Sequence, residues 1–251
     1  MLTRQRKDLI LARLRAEGQI VAKAFAQETG LSEDTIRRDL RELAAEGRLQ
    51  RVHGGALPAS PALADLPGRR EIARSGKAAL GRAAAAMVRP GQCVFLDGGT
   101  TTAELARRLP PTLKATVATH SPSIAMALID RPLIEVELIG GRLYRHSMVT
   151  VGVVAAQALK RIRPDVYFMG VTGIHPEFGL TTGDSEEAAM KRAILEHSAE
   201  TVVLASHEKL GAVSPSLVAD LAEVDAILAE GAVPAPLERR LAELGVTLTS
   251  V

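Results

Sequence analysis

The chain has 251 residues, of which 47% are apolar and 24% charged, a composition typical of a folded protein. No apolar run approaches the roughly 18 residues that a membrane-spanning helix needs, and charges at Arg4, Arg6, Lys7 and Asp8 occupy the place of a signal-peptide core. We therefore expect a soluble cytoplasmic protein with no membrane partner. The single cysteine, Cys93, excludes internal disulfides and any cysteine-built metal cluster.

Charge is distributed unevenly along the chain, although the net charge is only +2. Residues 1–60 hold 11 Lys/Arg against 8 Asp/Glu, whereas the remaining residues hold 20 against 21. The small basic excess in the first quarter hints at a polyanionic partner. With two Tyr, four Phe and no Trp, the chain lacks the aromatic platforms on which single-stranded nucleic acids stack.

Three short helices and a strand are predicted in the first quarter of the chain. Apolar spacing predicts helices over 5–16 and 21–29. Ser32 is suited to cap a third helix, whose apolar face carries Ile36, Leu40, Leu43 and Ala44. Residues 48–53 then predict a strand that turns at two glycines.

A proline-rich stretch at 56–68 predicts a linker between two domains. We assign residues 1–57 to a DNA-binding domain, 58–70 to the linker and 71–251 to a second domain. Apolar strands alternate with helices in the second domain, which predicts an α/β fold around a largely parallel sheet buried on both faces. Strands are predicted at 93–96, 115–118, 134–139, 166–169, 201–205 and finally 226–228, and helices at 70–87, 103–109, 123–129, 151–159 and 186–197.

The third helix carries a constellation suited to reading double-stranded DNA. Thr35, Arg37, Arg38 and Arg41 lie off its apolar face, where arginines can contact guanine or phosphate in a major groove. A solvated charged face or a protein-docking module would use similar residues. Asp39 interrupts the basic face, and we expect it to form a structural ion pair with a cation on another helix, such as Arg6. The predicted DNA-contacting residues are Ser32, Thr35, Arg37, Arg38, Arg41, Arg51 and His53.

A second constellation follows the strand at 93–96. Asp97-Gly98-Gly99-Thr100-Thr101 opens a helix, where backbone N–H groups and hydroxyls can bind an anion. A tight strand–helix turn with a threonine cap would have the same sequence. The motif lacks the features of a Walker A loop or a dinucleotide fingerprint, so no cofactor is predicted.

Other strand ends carry similar chemistry, and strand ends of a parallel sheet meet at one edge. Glu187 and Lys191 are spaced four residues apart, which suits either a surface ion pair or a ligand role. His120 and His207 could bind a metal, but no third ligand is evident, so none is predicted. The predicted effector-binding residues are Asp97, Gly98, Gly99, Thr100, Thr101, Thr119, His120, Gly141, Arg142, Gly170, Gly173, Asp184, Glu187, Lys191 and Lys209.

The sequence resembles the DeoR family of bacterial transcriptional regulators. "TIRRDL" at 35–40 with "HGGA" at 53–56 is similar to that family's winged helix-turn-helix signature. The resemblance implies that residues 32–46 form the recognition helix. It continues through "DGGTTT" at 97–102 and "GLTTGDSEEAAMKRAI" at 179–194 into a sensor domain, which in that family resembles ribose-5-phosphate isomerase and CoA transferases.

The resemblance implies a regulator that senses a phosphorylated sugar or related metabolite, with residues 97–101 around the phosphate and Lys191 and Lys209 nearby. Two departures bear on which effector binds. Family members often have Asn at the position of His120, and an acidic residue ahead of the lysine in the segment 205–209.

Three functions compete at this point. The first is a repressor of a carbohydrate-catabolism operon, not itself an enzyme, that binds paired operator half-sites as a homo-dimer or tetramer. Its coupling element would be residues 69–77. The second is a sugar-phosphate isomerase or transferase, for which Asp97, Asp184 and Glu187 supply carboxylates. The third is an architectural DNA-binding protein with an inert second domain.

Overall fold

The first domain packs three helices against a small antiparallel sheet. The computed structural model describes residues 1–251. The elements are α1 (Thr3–Glu17), β1 (Ile20–Val21), α2 (Ala22–Thr29), α3 (Glu33–Ala45), β2 (Leu49–Val52) and β3 (Gly55–Pro58), with strand order β1-β3-β2. Ile10, Phe25, Ile36, Leu40 and Leu43 are buried together at the centre, as the predicted apolar face of α3 requires. This is the predicted winged helix-turn-helix, with β2 and β3 as the wing.

The linker begins later than its prolines suggest. Residues 56–58, the start of the proline-rich stretch, form the end of β3 and pair with β2. Pro58 is accommodated because it lies at the last position of the strand. Beyond it, Pro61–Leu63 form a single 3-10 turn.

The helix predicted over 70–87 is two helices. They are α4 (Leu66–Glu71) and α5 (Arg74–Met87), separated at Ile72 and Ala73. Ala73 has a φ of 47°, in the left-handed region that costs a non-glycine residue about 1–2 kcal/mol. Apolar spacing alone does not reveal such a break.

The second domain is built on a seven-stranded parallel sheet, which confirms the predicted α/β fold class. Its strands are β4 (Cys93–Leu96), β5 (Ala115–Thr119), β6 (Ile134–Leu138), β9 (Val166–Gly170), β12 (Glu200–Ala205), β14 (Ala226–Ala229) and β15 (Thr247–Ser250), in the order β15-β14-β12-β9-β4-β5-β6. Both faces are buried: Phe95 and Tyr167 point into one hydrophobic cluster, and their neighbours Leu96 and Phe168 into the other.

Helices cover the two faces of this sheet, and two smaller antiparallel units lie beside it. The helices are α6 (Thr100–Arg108), α7 (Pro122–Ala127), α8 (Val153–Leu159), α9 (Ser185–His197) and α10 (Ala235–Leu244). The smaller units are the hairpin of β7 (Arg142–Tyr144) and β8 (Val149–Val151) and the sheet of β10 (Gly173–His175), β11 (Gly179–Thr182) and β13 (Ser216–Ala219). No helix is long and apolar enough to cross a membrane.

The prediction that 226–228 forms the last strand was wrong, because α10 and β15 follow it. β15 lies at the edge of the sheet and reads Thr-Leu-Thr-Ser, with its residues exposed or half-buried. An edge strand buries little apolar surface, so it leaves a weak hydrophobic signal in the sequence.

Candidate DNA-binding surface and effector site

The start of α3 is capped as the sequence predicts. The Ser32 hydroxyl oxygen accepts a hydrogen bond from the backbone N–H of Thr35 at 3.2 Å. Arg37, Arg38 and Arg41 are exposed on the outer side of the helix. Arg37 donates to the Glu33 carboxylate at 2.7 Å.

The wing brings two further predicted residues to this surface. Arg51 and His53 are exposed and line a shallow cleft together with Arg37. Asp39 lies on the opposite side of α3, fully buried, and accepts hydrogen bonds from the Arg6 guanidinium of α1. The predicted ion pair between Arg6 and Asp39 is therefore confirmed, and it fixes α3 against α1.

Asp97 is the centre of a buried polar network at the carboxyl ends of the strands. Its Oδ1 faces His120 Nε2 at 2.8 Å and accepts from the backbone N–H of Gly98 at 2.8 Å. Its Oδ2 accepts from Lys191 Nζ at 2.5 Å, from the Tyr167 hydroxyl at 3.1 Å and from the Gly170 N–H at 2.9 Å. With five donors and no exposed surface, this carboxylate holds the surrounding strand ends and α9 together.

The charges of this network follow from its contacts. Burial alone would raise the pKa of Asp97, but Lys191 and His120 outweigh burial and hold that pKa well below its usual range. Burial likewise lowers the pKa of Lys191, and the attraction of Asp97 and Glu187 more than offsets it, so that pKa is raised. His120 Nδ1 lies 3.0 Å from the carbonyl oxygen of Thr150. Both ring nitrogens of His120 therefore face hydrogen-bond acceptors.

Glu187 and Lys191 are not a surface pair. Lys191 is 1% exposed and lies 3.2 Å from Glu187 Oε1, while Glu187 Oε2 accepts from the Ser147 hydroxyl at 2.9 Å. Ser147 in turn accepts from Arg69 Nη2 at 3.1 Å. A continuous chain of polar contacts thus runs from Asp97 to the helix α4 that follows the linker.

Further cations surround the same region. Lys77 is buried and donates to the carbonyl oxygens of Arg69 and Ile72, so it holds the break between α4 and α5. Burial has the largest effect on the pKa of Lys209 and lowers it. Glu208 raises this pKa, nearby Lys77, Arg69 and Lys191 lower it, and the resulting value is about 8. Lys191 and Lys209, which the sequence predicted to lie near each other, are therefore close enough for Lys191 to lower the pKa of Lys209.

An open cleft of about 450 Å³ lies at the amino end of α6. Gly99 and Thr100 contribute the helix terminus, where backbone N–H groups favour an anion. Its lining residues are Leu66, Arg70, Arg74, Lys77, Gly99, Thr100, Ala103, Glu104, Arg107 and Ser123. Four of these are cations, and the one carboxylate, Glu104, is already paired with Arg107 and Arg108.

Several buried polar atoms in this part of the molecule have no hydrogen-bond partner. They include Arg69 Nε and the hydroxyl oxygens of Thr101 and Thr182. Unpartnered buried polar atoms are rare in folded proteins. None of these three residues lines the cleft at the start of α6.

Most of the remaining predicted effector residues hold the fold together, and one lies at the surface. The Thr119 hydroxyl donates to the Leu96 carbonyl, and Asp184 caps α9 by accepting from the N–H groups of Glu186 and Glu187. A Cβ on Gly98 would overlap Val149, so Gly98 is needed for packing. A Cβ on Gly141 or Gly173 would also press on neighbouring atoms.

Arg142 is exposed and pairs with Glu186, and thus does not join the buried network. Sequence reasoning missed the cations of the cleft. Arg70 and Arg74 precede the first predicted strand of the second domain, at 93–96, away from the strand-end motifs that indicated a ligand. The available signal was the basic run of Arg69, Arg70, Arg74 and Lys77 within the segment predicted to couple the two domains.

Two family models match this chain, one for each domain. Residues 6–61 match the model of the DeoR-like helix-turn-helix domain, and residues 72–230 match that of the DeoR C terminal sensor domain. The HTH-type transcriptional regulator GlpR of Haloferax volcanii is 35% identical over 250 residues, covering 99% of this chain and 98% of the relative. A putative aga operon transcriptional repressor of Escherichia coli O157:H7 is 30% identical, covering 99% and 94%.

Solved structures give weaker likenesses. Ribose 5-phosphate isomerase A from Methanocaldococcus jannaschii aligns with a TM-score of 0.40 at 19% identity, over 55% of this chain and 54% of that one. The sorbitol operon regulator SorC from Klebsiella pneumoniae aligns with a TM-score of 0.39 at 14% identity, over 80% and 90%.

Proposed function

The chain belongs to the DeoR family of transcriptional regulators, and from that premise we propose that it represses a carbohydrate-catabolism operon until a phosphorylated sugar or related metabolite binds its second domain. The observation that carries the effector half of this proposal is the cationic cleft at the start of α6. A DNA-binding domain joined to such a cleft has the two sites that allosteric regulation requires.

The DNA half of the proposal rests on the exposed basic side of α3 and the wing. Arg38 and Arg41 would enter the major groove, Ser32 and Thr35 would contact phosphates at the helix start, and the wing would contact the flanking backbone through Arg51 and His53. The partner is double-stranded operator DNA, from which we infer a cytoplasmic location.

We place the effector's phosphate at the amino end of α6, between Thr100 and the arginines of the cleft. Arg70, Arg74 and Arg107 supply charge, and the helix terminus supplies N–H donors. Asp97 and Lys191 would then act as positioning residues that hold the loop at 97–101, because their own polar groups are already engaged.

Coupling between the two sites would run through α4. Arg69 is joined to the network by Ser147, and its backbone carbonyl is held by Lys77, which also lines the cleft. A ligand that draws Lys77 towards its phosphate would alter the start of the second domain, where the linker arrives from the DNA-binding domain.

An isomerase or transferase activity is the second candidate. Asp97 is the best-placed carboxylate for proton abstraction, but it is saturated with donors, and the relatives named above are regulators rather than enzymes. We infer a binding site without turnover. Conversion of any sugar phosphate by the purified chain would reverse that inference.

A homo-oligomer is proposed from the apolar groups that the single chain leaves exposed. Met126, Ile129, Leu133 and Leu138 lie exposed on or beside the edge strand β6, and Val153 and Val154 are exposed at the start of α8. Exposed apolar patches on a folded domain mark interaction surfaces, and dimeric regulators read paired half-sites.

The effector proposal is tested by calorimetric titration of the full chain with triose, pentose and hexose phosphates and with their unphosphorylated parents. We expect one phosphorylated compound to bind and its parent to bind at least tenfold more weakly. Arg74→Gln should weaken that binding, whereas Arg82→Gln, an exposed arginine of α5 outside the cleft, should not. Equal binding of a phosphate and its parent would contradict the placement.

A further inference from the structure

A cluster of one histidine and two glutamates lies at the carboxyl ends of β12 and β14, outside the cleft described above. His207 and Glu208 begin the 3-10 turn that follows β12, and Glu230 follows β14, the neighbouring strand. The sheet therefore brings together side chains that are more than twenty residues apart in sequence. His207 Nδ1 and one oxygen of each carboxylate all lie within 4.8 Å of one another.

Glu208 has one satisfied oxygen and one that is not. Its side chain is only 6% exposed. Oε1 accepts from the Ser206 hydroxyl at 2.7 Å and lies 4.0 Å from Lys77 Nζ, whereas Oε2 is buried with no hydrogen-bond partner. Oε2 lies 3.9 Å from His207 Nδ1. A buried carboxylate oxygen without a donor is costly, and a cation in the cluster would remove that cost.

Glu230 is held in place beside it. Its Oε2 lies 2.9 Å from His207 Nδ1 and accepts from the His207 backbone N–H at 3.1 Å. Gly76 of α5 lies against this carboxylate, and a Cβ at that position would overlap it. Three segments of chain thus fix the two carboxylates and the imidazole in one small volume.

We propose that His207 Nδ1, Glu208 Oε2 and Glu230 Oε2 bind one divalent transition-metal ion of the zinc class. The donor set indicates this class, because an imidazole with carboxylates suits Zn²⁺ and its first-row neighbours, whereas Mg²⁺ and Ca²⁺ prefer oxygen ligands alone. Ser206 holds Oε1 of Glu208 as a positioning residue. His207 is 62% exposed, so the ion can enter from solvent and keep water at its remaining positions.

The position of this site suggests what occupancy would affect. His207 and Glu208 also line a cleft between residues 17–19 of the DNA-binding domain and the second domain. A bound ion would stiffen the turn after β12 at that boundary. Metal binding itself does not depend on the proposed effector, and it is tested separately.

The test uses the full chain after treatment with a chelator and its removal. Titration with Co²⁺, followed by visible absorption, should show saturation at one ion per chain, and Zn²⁺ should displace the Co²⁺ while millimolar Mg²⁺ does not. His207→Gln and Glu230→Gln should each weaken Co²⁺ binding at least about tenfold, because even the loss of an outer-shell partner typically lowers metal affinity by about 10- to 100-fold. His197→Gln, which changes a histidine on α9 outside the cluster, should bind as the wild type does.

Two results would overturn the proposal. One is the lack of saturable Co²⁺ or Zn²⁺ binding up to millimolar concentration. The other is unchanged affinity in both His207→Gln and Glu230→Gln, which would move any binding elsewhere in the chain. Circular dichroism checks that each variant is folded. Because His207 is largely exposed, its substitution should leave the fold intact. Glu208→Gln, which keeps the side-chain volume, provides a further variant of the same site.

Discussion

Asp97 is a single buried side chain that joins the ends of neighbouring strands through its hydrogen bonds. Residue type and the glycines after it suggested a carboxylate that touches the effector. The structure gives it five donors, which come from α9 and from three strands, β4, β5 and β9, or the residues that directly follow them, and it has no exposed surface. The sequence singled out Asp97 as a candidate effector-binding residue, but the contacts of a buried group depend on which strands become neighbours, and spacing along the chain does not reveal that.

The loss of this carboxylate should therefore lower the free energy of unfolding. Asp97→Asn leaves Lys191 without the nearer of its two buried carboxylates, and removing one partner of a buried pair typically costs about 3–5 kcal/mol. Urea denaturation should show that loss relative to Asp130→Asn, an exposed aspartate whose change should be neutral. A loss below about 1 kcal/mol would mean that the network does not hold the fold together.

The same carboxylate should add to acid sensitivity. Its pKa in the folded chain lies below the value near 4 of an unfolded aspartate. Its stabilising contribution is therefore complete above about pH 4 and is lost as the pH falls further. The stability difference between wild type and Asp97→Asn should shrink between about pH 5 and pH 2. A difference that stays constant over this range would contradict the assigned ionisation.

Helix α3 was the element most fully predicted from sequence, because its cap, apolar face and outward arginines all have local causes. Arg38→Ala and Arg41→Ala should each weaken operator binding. The loss of a contact to guanine costs about 1–3 kcal/mol of binding free energy. The loss of a contact to phosphate reduces the slope of log affinity against log salt concentration by about one. Arg82→Ala on α5 is the matched control. Operator affinity unchanged in both variants would exclude α3 as the reading helix.

Helix α4 was hidden from sequence reasoning, since a proline stretch and a basic run gave no sign of a break at Ala73. Arg69 on this helix joins the linker to the buried network. We expect Arg69→Met to keep most of the operator affinity but to lose most of the effector's effect on it, a coupling of typically 5- to 150-fold. Anisotropy titrations with and without effector measure that ratio. The same ratio in Arg69→Met and wild type would remove α4 from the coupling route.

At the scale of the whole molecule, alternating strands and helices predicted the parallel sheet and the two-domain order. The edge strand β15, the two small antiparallel units and the packing of the linker were not predicted. These elements depend on long-range contacts and bury little apolar surface of their own, so periodicity carries little information about them.

The exposed apolar edge at β6 and α8 leads to a prediction about assembly. Light scattering after size exclusion should show a dimer or tetramer, and Val153→Glu with Val154→Glu should shift it towards the monomer by placing charge on a buried interface. The double variant should also bind a two-half-site operator more weakly. An assembly unaffected by the double change would place the interface elsewhere.

We propose that one chain both binds operator DNA and releases it in response to a phosphorylated metabolite. The most direct test is a fluorescence-anisotropy titration of the full chain on DNA from upstream of its own gene, at fixed salt because phosphate contacts make affinity salt-dependent. We predict specific binding that weakens 5-fold or more with one compound from a panel of sugar phosphates and not with its unphosphorylated parent. Binding no tighter than to unrelated DNA, or specific binding that no phosphorylated compound changes, would contradict the proposed function as a metabolite-responsive repressor.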